Sequence, residues 1–138
     1  MSALYVLDAC AMLAVLSKEP GADNVVEIYK KASSGEVELV MSKLNLLEVY
    51  YELFREYGKE RADKFFEEIK QSPITINNEI SDEVFVEAGR LKASYKISLA
   101  DSIALAEASV SNGVLLTADH HEFNVIEEKE SVAFLWIR

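Results

Sequence analysis

The feature that most constrains the fold is a short apolar run near the start of the chain that ends on a carboxylate. Leu4, Tyr5, Val6 and Leu7 favour a β-strand, and Asp8 follows directly. Because this run is apolar on both faces, it fits the middle of a parallel sheet better than the edge of an antiparallel one. In open parallel sheets, ligands bind outside the carboxyl ends of the strands, where Asp8 would lie. Asp8 is therefore either a site residue or only the N-cap of the following helix.

The rest of the chain alternates between segments predicted as strands and segments predicted as helices. Further strands are predicted for residues 37–41, 74–76, 114–117 and 132–137. Helices are predicted from the residue after Asp8 to about Ser17, from Asp23 to about Ser33, from Ser42 to Tyr57, from Lys59 to Gln71, from Ser81, and from Ser98 to Asn112. In the helix that starts at Ser81, the residues expected to face the core are Val84, Phe85, Ala88 and Leu91. Strands joined by this much helix indicate parallel βαβ crossovers, and 138 residues fit a single domain over residues 1–138.

Composition excludes some classes of protein. The net charge is −10, from 24 acidic and 14 basic residues, which argues against holding nucleic acid by bulk attraction. Any nucleic-acid role must rest on local features, such as carboxylates neutralised by bound cations. Cys10 is the only cysteine, so an internal disulfide and a thiolate zinc cluster are excluded. No apolar stretch approaches the roughly 20 residues that span a bilayer, and we expect a soluble, cytoplasmic protein without membrane partners.

Glu48 is unusual within the helix predicted to start at Ser42. At about 100° per residue, Glu48 lies on the edge of an apolar stripe that we expect to face the core, made of Leu44, Leu47, Tyr51 and Phe54. A carboxylate brought toward a core is costly unless it has a cation or hydrogen-bond partners. Arg55, on the same side of the helix, is the ordinary alternative partner.

Two further acidic residues lie near the end of a predicted strand or the start of a predicted helix. Asp119 follows the predicted strand 114–117 and repeats the pattern of Asp8, although it could also only cap a turn through His120, His121 and Glu122. Asp101 lies three residues after Ser98, which is also the spacing of a capping box. Helices that follow parallel strands begin at the carboxyl edge of the sheet, so all four acids can converge there.

Four carboxylates in close contact would repel each other and partly protonate unless a cation neutralised them. Oxygen ligands without cysteine favour hard ions, so Mg²⁺ or Mn²⁺ is expected rather than Zn²⁺. Such ions bind phosphates and can activate water for in-line hydrolysis of a phosphodiester. Thr117, two residues before Asp119, could hold a metal-bound water through its hydroxyl.

Together these residues resemble the PIN domain, in particular its VapC-type toxin branch. The resemblance covers essentially the whole chain and rests on Asp8 after its strand, Glu48 behind Asn45, residues 100–104 around Asp101, and residues 116–119 ending on Asp119. It implies a three-layer α/β/α sandwich around a mostly parallel sheet. It also implies a Mg²⁺- or Mn²⁺-dependent ribonuclease that hydrolyses RNA, usually as a homodimer.

The same resemblance implies residue roles and a partner. By position, Asp8, Glu48, Asp101 and Asp119 become metal ligands, with Thr117 supporting the site. Toxins of this branch are usually restrained by a small antitoxin protein that inserts a segment, often with an arginine, into the acidic site. Many relatives carry a further acid two positions after the fourth carboxylate, where this chain has His121, and Glu122 follows one step later.

Two alternatives remain open. The first is a non-catalytic module that keeps the fold and binds a cation and RNA without hydrolysis; the presence of all four carboxylates counts against it. The second is a phosphoryl-transfer domain of another α/β class. Such hydrolases commonly place a second Asp two residues after the first, where this chain has Cys10.

Overall fold

The computed structural model describes residues 2–138 and contains a parallel sheet that is enclosed by helices. The strands are β1 (Leu4–Leu7), β2 (Glu38–Ser42), β3 (Thr75–Asn77), β4 (Val114–Thr117) and β5 (Ala133–Trp136). The helices are α1 (Ala9–Leu16), α2 (Ala22–Ser33), α3 (Lys43–Tyr57), α4 (Lys59–Lys70), α5 (Asp82–Ser94), α6 (Leu99–Ser111) and α7 (His120–Lys129).

The strand order is β3-β2-β1-β4-β5, and every neighbouring pair is parallel. β1 lies at the centre, where the prediction from its apolar run placed it. Its register sets Leu7 opposite Leu116 of β4, so Asp8 and the end of β4 meet at the same edge of the sheet. A parallel sheet requires crossovers, and the intervening helices supply them.

Helices cover both faces of the sheet and divide the core into two halves. One half packs α1, α2, α3 and α4 against Leu7, Leu39 and Met41. The other packs α5, α6 and α7 against Val6 and Leu115. Successive residues of β1 therefore enter opposite halves of the core, as expected for a strand that is buried on both faces. This is the predicted three-layer α/β/α sandwich, and that prediction is confirmed.

The predicted inner face of α3 is wrong for three of its four residues, since only Leu44 packs against the core, where it is half-buried. Leu47, Tyr51 and Phe54 are 52%, 43% and 44% exposed, and the residues buried instead are Asn45, Leu46, Val49 and Leu53. The helix is apolar around most of its circumference, so its sequence contains two apolar stripes. The more aliphatic stripe packs against the sheet, and the more aromatic one faces solvent. Arg55 does not pair with Glu48 but lies 3.1 Å from Glu52.

Two smaller differences concern the other side of the sheet. Phe85 is predicted to face the core but is 71% exposed, whereas Val84, Ala88 and Leu91 are buried as predicted. Helix α7 is not predicted by the sequence, because only Phe123 and Ile126 point inward from an otherwise mostly polar segment. Within residues 2–138, no helix is long and apolar enough to cross a membrane.

Candidate functional site

The carboxyl edge of the sheet gathers the acidic residues. Asp8 continues β1, and its backbone N–H donates to the Leu116 carbonyl at 3.4 Å, which sets Asp8 beside the end of β4. Helix α6 begins near the same edge, because the buried Asn45 side chain of α3 donates to the Ala100 carbonyl at 3.1 Å. That single bond ties the start of α3 to the residue that precedes Asp101.

Asp8 serves as an N-cap and also leaves one oxygen free. Its side chain is 1% exposed, and Oδ1 accepts a hydrogen bond from the Ala11 N–H at 2.8 Å. Oδ2 is buried and has no hydrogen-bond partner. Burial raises the pKa of Asp8 to about 7; the Thr117 hydroxyl and the Ala11 N–H oppose this rise, and the charges of Asp101 and Asp119 add to it. A buried, unpartnered carboxylate oxygen is costly unless something binds it.

Asp101 and Asp119 form a tight group with Glu122. One carboxylate oxygen from each of the three lies within 4.8 Å of the other two. Burial, followed by repulsion from Asp119, raises the pKa of Asp101 to about 7. Ser98 caps α6 by accepting from the Asp101 backbone N–H at 3.1 Å, so the predicted cap is present. The Ser98 side chain also interacts with the Asp101 carboxylate and partly opposes the rise of its pKa.

Glu122 has no role assigned from the sequence, and the structure adds it to the acidic group. Asp119 caps α7 by accepting from the Glu122 backbone N–H at 3.2 Å. This cap turns the Glu122 side chain toward Asp101 and Asp119. The spacing Asp119-x-x-Glu122 is that of a capping box, and this signal in the sequence could have revealed both the helix and its acid.

Glu48 borders the group rather than joining its compact part. Its side chain is half-buried. Burial raises its pKa first, and the charges of Glu52 and Asp119 raise it further. The pKa of Asp101 is in turn raised by Glu48, so the two carboxylates influence each other. The structure therefore brings Asp101, Asp119 and Glu122 into one compact group and sets both Asp8 and Glu48 beside it.

Thr117 and Asn45 are buried polar residues that hold the acids in place. Thr117 is fully buried, and its Oγ1 accepts from the Asp119 backbone N–H at 3.0 Å, which fixes the turn after β4. Asn45 is equally buried and uses only its amide nitrogen, since its Oδ1 has no hydrogen-bond partner. Sequence reasoning missed the positioning role of Asn45, because a polar residue in an apolar helix does not reveal its partner.

The donor set fits a hard divalent cation. The acidic residues at this edge all offer carboxylate oxygens, which Mg²⁺ and Mn²⁺ prefer as ligands. Asp8 contributes the buried oxygen without a partner, and the pKa values of Asp8 and Asp101 are raised first by burial and then by neighbouring carboxylates. A cation bound between Asp8 and Asp101 would contact the unpartnered Asp8 oxygen and would offset the repulsion among the carboxylates.

Comparisons with known proteins agree with this architecture. The family model of the PIN domain matches residues 5–129. No curated protein matches the chain at a significant level.

Several solved structures share the fold over nearly the whole chain. A toxin-antitoxin complex from Klebsiella pneumoniae is 20% identical with a TM-score of 0.68, covering 99% of this chain and 98% of that one. VapBC2 from Rickettsia felis, bound to a DNA fragment from its promoter, is 17% identical with a TM-score of 0.71, covering 96% and 97%. VapC20 from Mycobacterium tuberculosis, a toxin that cleaves the sarcin-ricin loop, is 13% identical with a TM-score of 0.62, covering 88% and 94%.

Proposed function

This chain belongs to the PIN domain family, and on that premise we propose that it is a metal-dependent endoribonuclease, the toxin of a toxin-antitoxin pair. The observation that carries the proposal is the convergence of Asp101, Asp119 and Glu122 beside Asp8, whose second oxygen is buried without a partner. Two of the similar solved structures are toxin-antitoxin complexes, and a third is a toxin that cleaves the sarcin-ricin loop.

We propose Asp8, Glu48, Asp101 and Asp119 as the metal ligands, with Glu122 completing the group. The ion is Mg²⁺ or Mn²⁺, as the all-oxygen donor set favours. When bound, such an ion supplies charge stabilisation at the phosphodiester and activation of water. Metal coordination tolerates little displacement of a ligand. The central strand β1 holds the Asp8 carboxylate in a fixed position.

Thr117 acts here as a positioning residue. Its buried Oγ1 accepts from the Asp119 N–H, so it fixes the direction in which the Asp119 carboxylate leaves the sheet. Asn45 does the same for Asp101 through the Ala100 carbonyl. These contacts hold the acidic groups in place before substrate arrives, which lowers the cost of reorganisation during hydrolysis.

The antitoxin is proposed to bind the exposed aromatic stripe of α3. Leu47, Tyr51 and Phe54 are exposed there, and Glu48 lies on the same helix next to this stripe. A partner segment that covers the stripe can therefore continue into the acidic edge, where an arginine would find carboxylates to pair with. Exposed apolar patches of this kind mark protein interaction sites.

A homodimer is proposed through exposed apolar residues of α5 and α6. Phe85 and Val86 of α5 are 71% and 69% exposed, and Leu99 and Val110 of α6 are also exposed. Helices α5 and α6 pack against each other, so the exposed apolar residues lie on two neighbouring helices. The protein is proposed to act in the cytoplasm, where RNA and the antitoxin are synthesised.

Cleavage of RNA by the purified protein tests the proposal. We expect pools of structured and single-stranded RNA to be cut in Mg²⁺ or Mn²⁺ and to survive in EDTA. Asp101→Asn should lower the rate at least about 100-fold, whereas Asp82→Asn, an exposed acid at the start of α5, should leave it unchanged. Cation binding without turnover on any RNA would favour the non-catalytic module instead.

A further inference from the structure

Three aromatic rings form a continuous stack at the end of the sheet nearest to the acidic group. Phe134 and Trp136 of β5 are stacked with ring centroids 5.3 Å apart and planes 7° apart. His120 continues the stack on Trp136, with centroids 3.9 Å apart and planes 13° apart. His120 is thus the terminal ring.

The His120 ring is held on both edges. Its Nδ1 lies 2.8 Å from Asn124 Oδ1, and its Nε2 lies 2.8 Å from the Arg138 carbonyl oxygen. The ring beneath it is held as well, because the Trp136 indole N–H donates to Glu127 at 2.9 Å. With one face against Trp136 and both nitrogens bonded, the exposed part of the His120 ring is its opposite face.

The His120 ring lies beside the turn that carries one of the proposed metal ligands, Asp119. His120 follows Asp119 directly, and the register of β4 with β5 sets Trp136 beside Thr117. The stack therefore lies on the β5 side of the turn that carries Asp119. A purely structural role for Trp136 would require only that its ring packs against the rest of the protein. It would not explain why the exposed His120 ring is held by two hydrogen bonds with one face free.

We propose that the outer face of His120 stacks against a nucleobase of the RNA next to the phosphate that is cleaved. The inference rests on the proposed function and adds a substrate-positioning residue to it. Stacking on an aromatic ring tolerates every base, because each base has a π-face. The platform therefore holds the strand in register with the carboxylates without itself selecting a sequence.

Trp136 gives a direct readout, because it is the only tryptophan in the chain and lies under His120. In Asp8→Asn protein, which the proposed function predicts to be unable to cleave, titration with a short single-stranded RNA should change the Trp136 emission. An RNA of the same length made of abasic nucleotides should leave the emission unchanged. Absence of a response to the intact RNA would overturn the inference.

Three variants separate stacking from a purely structural role. His120→Ala should raise KM for RNA by about 5- to 100-fold, as expected for the loss of one base stack, while kcat changes by less than about threefold. His120→Phe keeps a ring and should restore most of the affinity. The matched control is His121→Ala, the exposed neighbouring histidine, which should match wild type.

The outcomes distinguish this inference from the proposed function. Wild-type protein that cleaves no RNA contradicts the proposed function. Cleavage that depends on Asp101 but is indifferent to His120→Ala contradicts only the stacking platform. Equal weakening by His120→Ala and His120→Phe also contradicts it, because the effect would then come from the lost hydrogen bonds. If His120→Ala fails to fold, the comparison of intact and abasic RNA in the Trp136 titration decides.

Discussion

Replacing Asp8 with asparagine is expected to stop RNA cleavage and, at the same time, to make the metal-free protein more stable at alkaline pH. Asparagine keeps the Oδ1 acceptor for the Ala11 N–H and removes the charge from a side chain that is 1% exposed. The variant loses the metal ligand but also loses a buried carboxylate that has no neutralising partner. Function and stability should therefore change in opposite directions.

The raised pKa of Asp8 gives the size of the stability effect. Burial is the main cause of its rise from 3.8 to about 7. Each factor of ten in proton affinity corresponds to about 1.4 kcal/mol. Burying the ionised Asp8 carboxylate in the folded protein therefore costs about 4 kcal/mol of folding free energy. This is an upper value, since the buried site can relax when the charge forms.

The sign follows from proton linkage. The folded protein binds the Asp8 proton more tightly than the unfolded chain does, so the favourable contribution is fully present below pH 3.8 and is lost as the pH rises through about 7. The asparagine side chain of the variant does not titrate and has no such dependence. The advantage of Asp8→Asn over wild type should therefore be about 2–3 kcal/mol larger at pH 8 than at pH 5.

Urea unfolding in EDTA, followed by circular dichroism at pH 5 and pH 8, measures this difference. Adding Mg²⁺ at pH 8 should stabilise wild type and have little effect on Asp8→Asn, because the cation binds only the native site of the wild type. Asp82→Asn, an exposed aspartate, should change stability by less than about 1 kcal/mol at either pH. If Asp8→Asn is less stable than wild type at pH 8 in EDTA, the reasoning about the buried carboxylate is wrong.

Three further predictions concern residues around the site. Asn45→Ala should lower the free energy of unfolding by about 1–3 kcal/mol, because it removes a buried hydrogen bond to the start of α6. It should also slow RNA cleavage, because Asp101 is displaced. Chemical denaturation measures the first effect and an RNA cleavage assay the second. Glu122→Gln should weaken Mn²⁺ binding at least about 10-fold by calorimetry, whereas Glu128→Gln, an exposed acid on the same helix, should bind Mn²⁺ as wild type does. Gly21→Ala should lower the free energy of unfolding by at least about 1 kcal/mol more than Gly35→Ala does. Both glycines have positive φ, but of the two only a Cβ at position 21 would collide with the backbone carbonyl of Ile137.

The sequence was sufficient for the sheet because its strands carry strong local signals. β1 and β4 are continuous apolar runs that end on acids, and their predicted bounds agree with the structure to within one residue. Three helix starts were equally clear, because Ser42, Ser81 and Ser98 are N-caps in sequence and in structure. Convergence of the acids then followed from the topology of parallel strands.

What the sequence could not settle depends on tertiary contacts. Helix α3 is apolar on two sides, and only packing against the sheet decides which side is buried. Helix α7 has two inward apolar residues, Phe123 and Ile126, which is too few for a periodic signal. The capping-box spacing of Asp119 and Glu122 is the one local signal for this helix, but only the fold shows that Glu122 joins the acidic group. The partner of Asn45, on a helix that starts more than 50 residues later, is invisible without the fold.

The position of a bound Mn²⁺ ion tests the central claim most directly, and anomalous diffraction from crystals soaked in MnCl₂ locates it. We predict Mn²⁺ density in contact with Asp8 Oδ2 and with carboxylate oxygens of Asp101 and Asp119. The Asp8→Asn crystal, soaked in the same way, should lose that density. Mn²⁺ that binds only at other acidic residues, with Asp8 Oδ2 still unpartnered, would contradict the assignment of this edge as the metal centre.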